Sequence, residues 1–129
     1  MDLLTLNIIV SLLSATAMFA AIVYILIYIL GSFSSKSGTM SPRLVLISLT
    51  YFFGSTIVLF IGVEYLSGIS QDYWRQNPGV SVFALNIGAS ALGLNALLHI
   101  ICGLLTALLY LRGRSSGMPS LGIRRKRQK

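Results

Sequence analysis

The sequence predicts an all-α integral membrane protein with three transmembrane helices, its N-terminus outside and its C-terminus cytoplasmic. Three observations carry that expectation. First, 55% of the 129 residues are hydrophobic and 10% charged, with a mean hydropathy of +0.82. A water-soluble domain carries roughly 25% charged residues. Second, the apolar residues gather into three runs long enough to cross a bilayer. Third, ten Lys and Arg stand against three Asp and Glu, a net charge of +7, and nearly all the bases fall between or after the same runs. High hydrophobicity also excludes disorder. Cys102 is the only cysteine, so an internal disulfide framework, a CxxC motif and a thiolate metal site are all excluded.

A helix crosses a hydrocarbon core of about 30 Å with roughly 20 apolar residues. The first span, Leu3 to Leu30, carries no charge. Ala15-Thr16-Ala17 has the small residues of a signal cleavage site, yet the start is Met1-Asp2 and no base precedes Lys36. A secretory signal needs a positive start and a short apolar core, so an uncleaved span is expected. The loop from Gly31 to Thr39 is rich in Gly and Ser and carries no fold of its own. The second span, Leu44 to Leu66, is interrupted only by Glu64 near its end. Ser41-Pro42 supplies a capping hydroxyl before a proline suited to the first helical position, and Asn77-Pro78 is expected to do the same for the third span. That span, Val80 to Leu111, again has no charge. At 1.5 Å per residue the first and third spans reach about 42 and 48 Å, so they tilt, kink or protrude. Residues 1–111 form one three-helix domain, and 112–129 a basic, flexible cytoplasmic tail. Short loops make successive helices antiparallel neighbours.

Orientation follows from the bases. Lys36, Arg43, Arg112, Arg114, Arg124, Arg125, Lys126, Arg127 and Lys129 fall on one side, Arg75 alone on the other. Asp2, Glu64 and Asp72 all share the side of Arg75. An excess of Lys and Arg marks the cytoplasmic face. Tyr65, Tyr73 and Trp74 cluster at the outer boundary, and Tyr24, Tyr28 and Tyr110 approach the inner one, where amphipathic rings gather.

The third span is the most informative. At 100° per residue, Ala84, Gly88, Ala91, Asn95, His99, Cys102 and Thr106 lie within an arc of about 80°. Between helices in lipid there is no hydrophobic force; small residues permit close approach and polar ones hydrogen-bond across. The stripe therefore reads as a packing seam, with a cofactor or ion pathway as the sharper alternative. Asn7, Ser11, Ser14, Met18 and Ala21 form a weaker stripe on the first span, and Ser48, Tyr51, Ser55 and Gly62 on the second. His99 is the only histidine. Unbonded in hydrocarbon it would cost several kcal/mol, so it needs a partner, and Asn95 lies one turn away. A neutral, hydrogen-bonded imidazole is the simplest reading; haem ligation, proton relay or quinone contact are alternatives.

The spacing His99-x-x-x-Gly103 resembles the haem-ligating helices in membrane-anchor subunits of succinate dehydrogenases, which also have three spans. That resemblance implies His99 as a cofactor-binding residue for haem, the second axial ligand coming from another chain, or as a quinone contact. In architecture and charge layout the chain also resembles three-span phage holins, which implies a pore-forming lysis protein built by self-association. Lys126-Arg127-Gln128-Lys129 is similar to a dibasic endoplasmic-reticulum retrieval ending, which bears on localisation in a eukaryote.

Catalytic chemistry has little support. There is no acidic pair, metal-spaced cluster, phosphate loop or nucleophile elbow, so the chain is expected not to be an enzyme, and no catalytic or metal residues are assigned. No cofactor is expected beyond the haem or quinone alternative. The seven bases of the tail are each worth about 1 kcal/mol near an anionic leaflet, making topological anchoring on inner-leaflet lipids their expected role, with nucleic acid the less favoured partner. The leading expectation is a small non-catalytic accessory subunit of a larger integral membrane complex, partnered by other membrane subunits or by itself. A holin-like pore and a haem- or quinone-binding anchor are the alternatives.

Overall fold

The computed structural model describes residues 2–34 and 42–128, with side chains for 2–31 and 42–113. Three helices account for nearly all of it: α1 (Leu3–Ser34), α2 (Pro42–Gln76) and α3 (Val82–Gln128). Each contains a stretch long and apolar enough to cross a membrane, Leu3–Gly31, Pro42–Gln76 and Val82–Gly113.

Local chemistry sets the helix ends. Asp2 caps α1, its Oδ1 accepting the Thr5 N–H at 2.7 Å. That hydrogen bond holds its carboxyl below the usual carboxylate range. Pro42 opens α2 as the sequence suggests, while Ser41 lies outside the described residues. Two ends differ from expectation. Asn77 does not cap α3; it closes α2, its backbone N–H and its Nδ2 both donating to the Tyr73 carbonyl, at 2.9 and 3.1 Å. Ser81 takes the cap of α3, its Oγ accepting from Ala84 N–H at 3.4 Å and its carbonyl from Leu85 N–H. Asn-Pro and Ser are both plausible caps, and the turn at Pro78 and Gly79 consumes the first.

Two lengths differ as well. α2 runs past Leu66 to Gln76, because Ser70 Oγ ties that extension to the Leu85 carbonyl at 2.7 Å. The backbone of 112–128, expected as a flexible tail, continues α3 as helix. Extending an existing helix needs no new nucleus, and Leu, Met, Arg, Lys and Gln are good helix formers.

α3 packs against both α1 and α2, which meet each other at few points. Successive helices are therefore not all equal neighbours: the last helix is the central one. The cause is visible in its residues. Ala89, Ala96, Cys102, Gly88 and Gly103 on α3 are small and buried, letting two neighbours approach. α1 runs parallel to α3, with Asn7 beside Gly88 and Ala21 and Ile25 in one cluster with Cys102. α2 runs antiparallel, with Ser70 opposite Leu85, Gly62 opposite Leu92 and Phe53 opposite Gly103. Phe52, fully buried, fills the space among the three helices and completes the Ala21, Ile25 and Cys102 cluster. The outward faces carry Leu12, Leu13, Phe19, Ile27, Leu46, Ile57, Ile61 and Leu108, all exposed. An apolar coat around a small polar-lined centre is the reverse of a soluble bundle.

Candidate functional site

Two polar clusters lie on the inner face of α3, and they differ in how completely they are closed. The first is a junction at Gly88. The Gly88 N–H donates to Asn7 Oδ1 at 3.0 Å, while Asn7 Nδ2 donates to the Leu3 carbonyl at 2.9 Å. Asn7 is fully buried, with both ends of its amide bonded. A Cβ at position 88 would stand 2.7 Å from Asn7 Oδ1, 2.8 Å from Leu66 Cδ2 and 3.2 Å from Asn7 Cα. Only glycine allows all three helices to meet there.

The second cluster centres on His99. Its Nδ1 lies 2.8 Å from the Asn95 carbonyl. A carbonyl only accepts, so Nδ1 carries a hydrogen; in the neutral tautomer that fits this contact the lone pair is on Nε2. The expected Asn95–His99 pair thus forms through the backbone of Asn95, not its amide. Phe52 meets the imidazole edge-on and Tyr51 at a tilt, each with centroids 5.9 Å away. Tyr24 stacks edge-on against Phe52 and hydrogen-bonds Ser48, a polar link between α1 and α2.

This cluster is not closed. Asn95 is 2% exposed, yet its Oδ1 has no hydrogen-bond partner among the described residues. His99, also 2% exposed, has no bond at Nε2 among them. Both side chains line a shallow, open groove of about 520 Å³ between α2 and α3, with Thr50, Gly54, Ser55 and Leu59 along its α2 side. Helical hydroxyls normally bond back to the carbonyl four residues earlier, and Ser11, Thr16, Ser48, Thr56 and Thr106 do so. Among the described residues Thr50 and Ser55 make no such bond, and neither do Ser14, Ser67 and Ser90. A Cβ at Gly54 meets nothing within 4 Å. The groove therefore brings together the Asn95 amide, His99 Nε2, two hydroxyls that can donate or accept, and a bare backbone step.

The stripe read from the sequence lies on the face of α3 turned to its neighbours. Gly88, Asn95, His99, Cys102 and Thr106 are buried, and Ala84 and Ala91 half-buried. On α1, Asn7, Ser14 and Ala21 are buried, with Ser11 and Met18 half-buried. On α2, Ser48 is buried, Ser55 and Gly62 half-buried and Tyr51 exposed. Tyr28 is buried, not turned outward at a boundary, while Tyr65 is exposed. Arg112 is exposed; the side chains of Arg114, Arg124, Arg125, Lys126, Arg127 and Lys129 lie outside the described residues, as does Lys36. Thr50, Gly54 and Phe52 escaped the sequence reading. Thr50-x-x-x-Gly54-x-x-x-Val58 has the spacing of a close-packing helix ridge, and that was the available signal.

Chemically, a single Nε2 lone pair can accept a hydroxyl proton or bind one metal centre. Among the described residues no three His, Cys, Asp or Glu side chains gather at one place. One imidazole is one axial ligand, so a haem at His99 would need its other ligand from elsewhere. No protein-family model, curated protein or solved structure matches the chain.

Proposed function

We propose that this chain is a small, non-catalytic subunit of a larger integral membrane assembly, with its N-terminus outside and its C-terminus cytoplasmic. In this role the α2–α3 groove receives a transmembrane helix of the assembly. The observation that carries the reading is Asn95 Oδ1, buried without a partner beside an open groove. In hydrocarbon an unsatisfied polar group costs several kcal/mol, and no water is there to relieve it. A turn of the Asn95 side chain into the groove that it lines brings this closed-over oxygen to a donor on another helix. The groove is also the wrong shape for an enzyme site, which encloses most of its ligand. Orientation rests on nine bases on one side against Arg75 on the other. The basic tail then lies against the anionic inner leaflet.

Extraction in a mild detergent tests the assembly. The expected particle is larger than one chain, and Asn95→Leu shrinks it. A strictly monomeric particle with no co-purifying protein would overturn the proposal. Thiol labelling at Lys36→Cys and Lys129→Cys in a Cys102→Ser background checks the topology. Both sites are expected to react only from the cytoplasmic side.

A further inference from the structure

We infer that the cleft between α1 and α2 binds one anionic phospholipid, with an acyl chain along the cleft and the phosphate at Arg43. The inference goes beyond the subunit reading and needs only that the three helices cross the bilayer. It concerns a single seat, distinct from the general attraction of the basic tail for the inner leaflet.

Shape comes first. Because α3 packs against both other helices, α1 and α2 meet at few points and leave a furrow between them. Two adjoining pockets make it up. One of about 370 Å³ lies beside Ala20 and Ile47, one of about 340 Å³ beside Gly31 and Leu44, and Tyr24 belongs to both. From Ala20 to Gly31 the furrow runs about 16 Å along α1. Its walls are mostly apolar, and the Ser48 hydroxyl is already spent on Tyr24. That same bond bridges the two helices midway, so a further helix, about 10 Å across, cannot sink between them. A lipid tail lying parallel to the helices can.

Charge is the second part. The furrow ends at Gly31 and Leu44, next to Arg43. Arg43 is exposed and makes no hydrogen bond or ion pair among the described residues. Ser70 opposite Leu85 and Phe53 opposite Gly103 set the antiparallel register of α2 and α3. Continued, it brings the exposed Arg112 to the level of Arg43 within about one turn. Asp2, Glu64 and Asp72, the three acidic side chains of the chain, all lie toward the other end of the bundle. An anion for Arg43 therefore comes from outside the chain. At the end of an apolar furrow, the anion that a bilayer supplies is a phosphate joined to acyl chains. A guanidinium matches phosphate with two parallel hydrogen bonds. Two arginines at one level also disfavour a zwitterionic headgroup, which brings its own cation.

Quenching by lipids brominated in their acyl chains tests this on the full chain in phosphatidylcholine vesicles. Trp74, the single tryptophan, is first removed as Trp74→Phe. Ile47→Trp then reports from the furrow, and Leu108→Trp from the outer face of α3 at about the same depth by the register above. Both positions are exposed, so the larger ring is accommodated. At equal mole fraction, brominated phosphatidylglycerol is expected to quench Ile47→Trp more than brominated phosphatidylcholine does, with a smaller difference at Leu108→Trp. Arg43→Gln is expected to cut the preference at 47 about fivefold, the equivalent of about 1 kcal/mol for one base at an anionic surface. Ala20→Phe, which fills the furrow, is expected to remove it. Equal quenching by the two lipids at 47 overturns the inference. An equal preference at 47 and 108 means diffuse surface attraction and overturns it as well. A preference that survives Ala20→Phe puts the lipid outside the furrow, and an Ile47→Trp signal that neither lipid quenches puts protein over it; either result overturns the proposal.

Discussion

The Gly88 junction and the Asn95–His99 groove are built from the same materials: an asparagine, small residues on α3 and hydroxyls nearby. One is finished within the chain and the other is not. At the junction Asn7 spends both ends of its amide on backbone groups, one in its own helix and one on α3. At the groove Asn95 offers its backbone carbonyl to His99 and leaves its Oδ1 without a donor. The difference lies in what faces each asparagine. Gly88 presents a bare N–H to Asn7, whereas Asn95 lines a groove with Gly54 and Ser55 and its Oδ1 meets no donor among the described residues. A polar residue in an apolar helix therefore declares a bond, but only its neighbours say whether that bond is internal.

The largest break of the comparison is at Gly88. A valine there drives its branches into Asn7 and Leu66, and Asn7 Cα cannot retreat without moving α1. Overpacking of this kind costs about 1–3 kcal/mol, and the lost Asn7 bond adds to it. Gly88→Val is expected to lower the midpoint of SDS-induced unfolding sharply, followed by the fluorescence of Trp74, the single tryptophan. The same change at Gly54, where nothing lies within 4 Å, is expected to leave that midpoint in place. Equal losses at the two glycines would erase the distinction between a closed and an open site.

The asparagines give the next contrast. Asn7→Leu removes an acceptor from the buried Gly88 N–H and crowds a fully packed site, at about 1–3 kcal/mol. Asn95→Leu is close in size, keeps the backbone carbonyl that orients His99, and deletes a buried atom with no bond. In dispersed single chains it is expected to be neutral or stabilising by about 1 kcal/mol, since an unmet polar group no longer has to be buried. Opposite signs in the same unfolding assay sharpen the comparison. A large loss from Asn95→Leu in the monomer means that its amide is satisfied internally, and the groove loses its reason.

Much of this was legible in the residues. Hydropathy found three helices, since long charge-free runs have few alternatives, and period arithmetic put Gly88, Asn95, His99, Cys102 and Thr106 on one face. What it lacked was the neighbour. Periodicity says that a stripe meets something, and the stripe of α3 meets both α1 and α2, an arrangement that no single helix pattern encodes. The ends were misjudged for a related reason. Asn77 has the chemistry of an N-cap for the following helix and also of a terminator for the preceding one, and only the turn at Pro78 and Gly79 decides between them. The groove lay hidden because Thr50 and Gly54 look ordinary until the residues beside them are known to lack partners.

Ser70 offers a smaller test. Its Oγ donates to the Leu85 carbonyl, the bond that holds the extension of α2 to the start of α3. Ser70→Ala is expected to cost about 0.6 kcal/mol, the average for hydrogen bonds between helices in a membrane. The effect is local, so amide exchange is expected to quicken from Ser70 to Gln76 while the region around His99 keeps its rate. Faster exchange at His99 would mean that junction and groove open together.

The smallest effect is an acid titration of the first turn of α1. Asp2 is fully exposed, and its carboxylate is held ionised below the usual range chiefly by the Thr5 N–H. A carboxylate with a depressed folded-state pKa contributes above its unfolded value, and the contribution is lost as pH falls through the folded one. Acid should therefore fray the cap and free the Thr5 amide, as Asp2→Ala does at every pH. The fraying is expected to stop at Asn7, one turn on, because its two bonds tie α1 to α3 and neither involves a titrating group. Amide exchange at Thr5 and Gly88 across the acid range measures both ends of that claim. If protection at Gly88 fell in step with Thr5, the junction would be no independent closed unit, and its contrast with the groove would be one of degree.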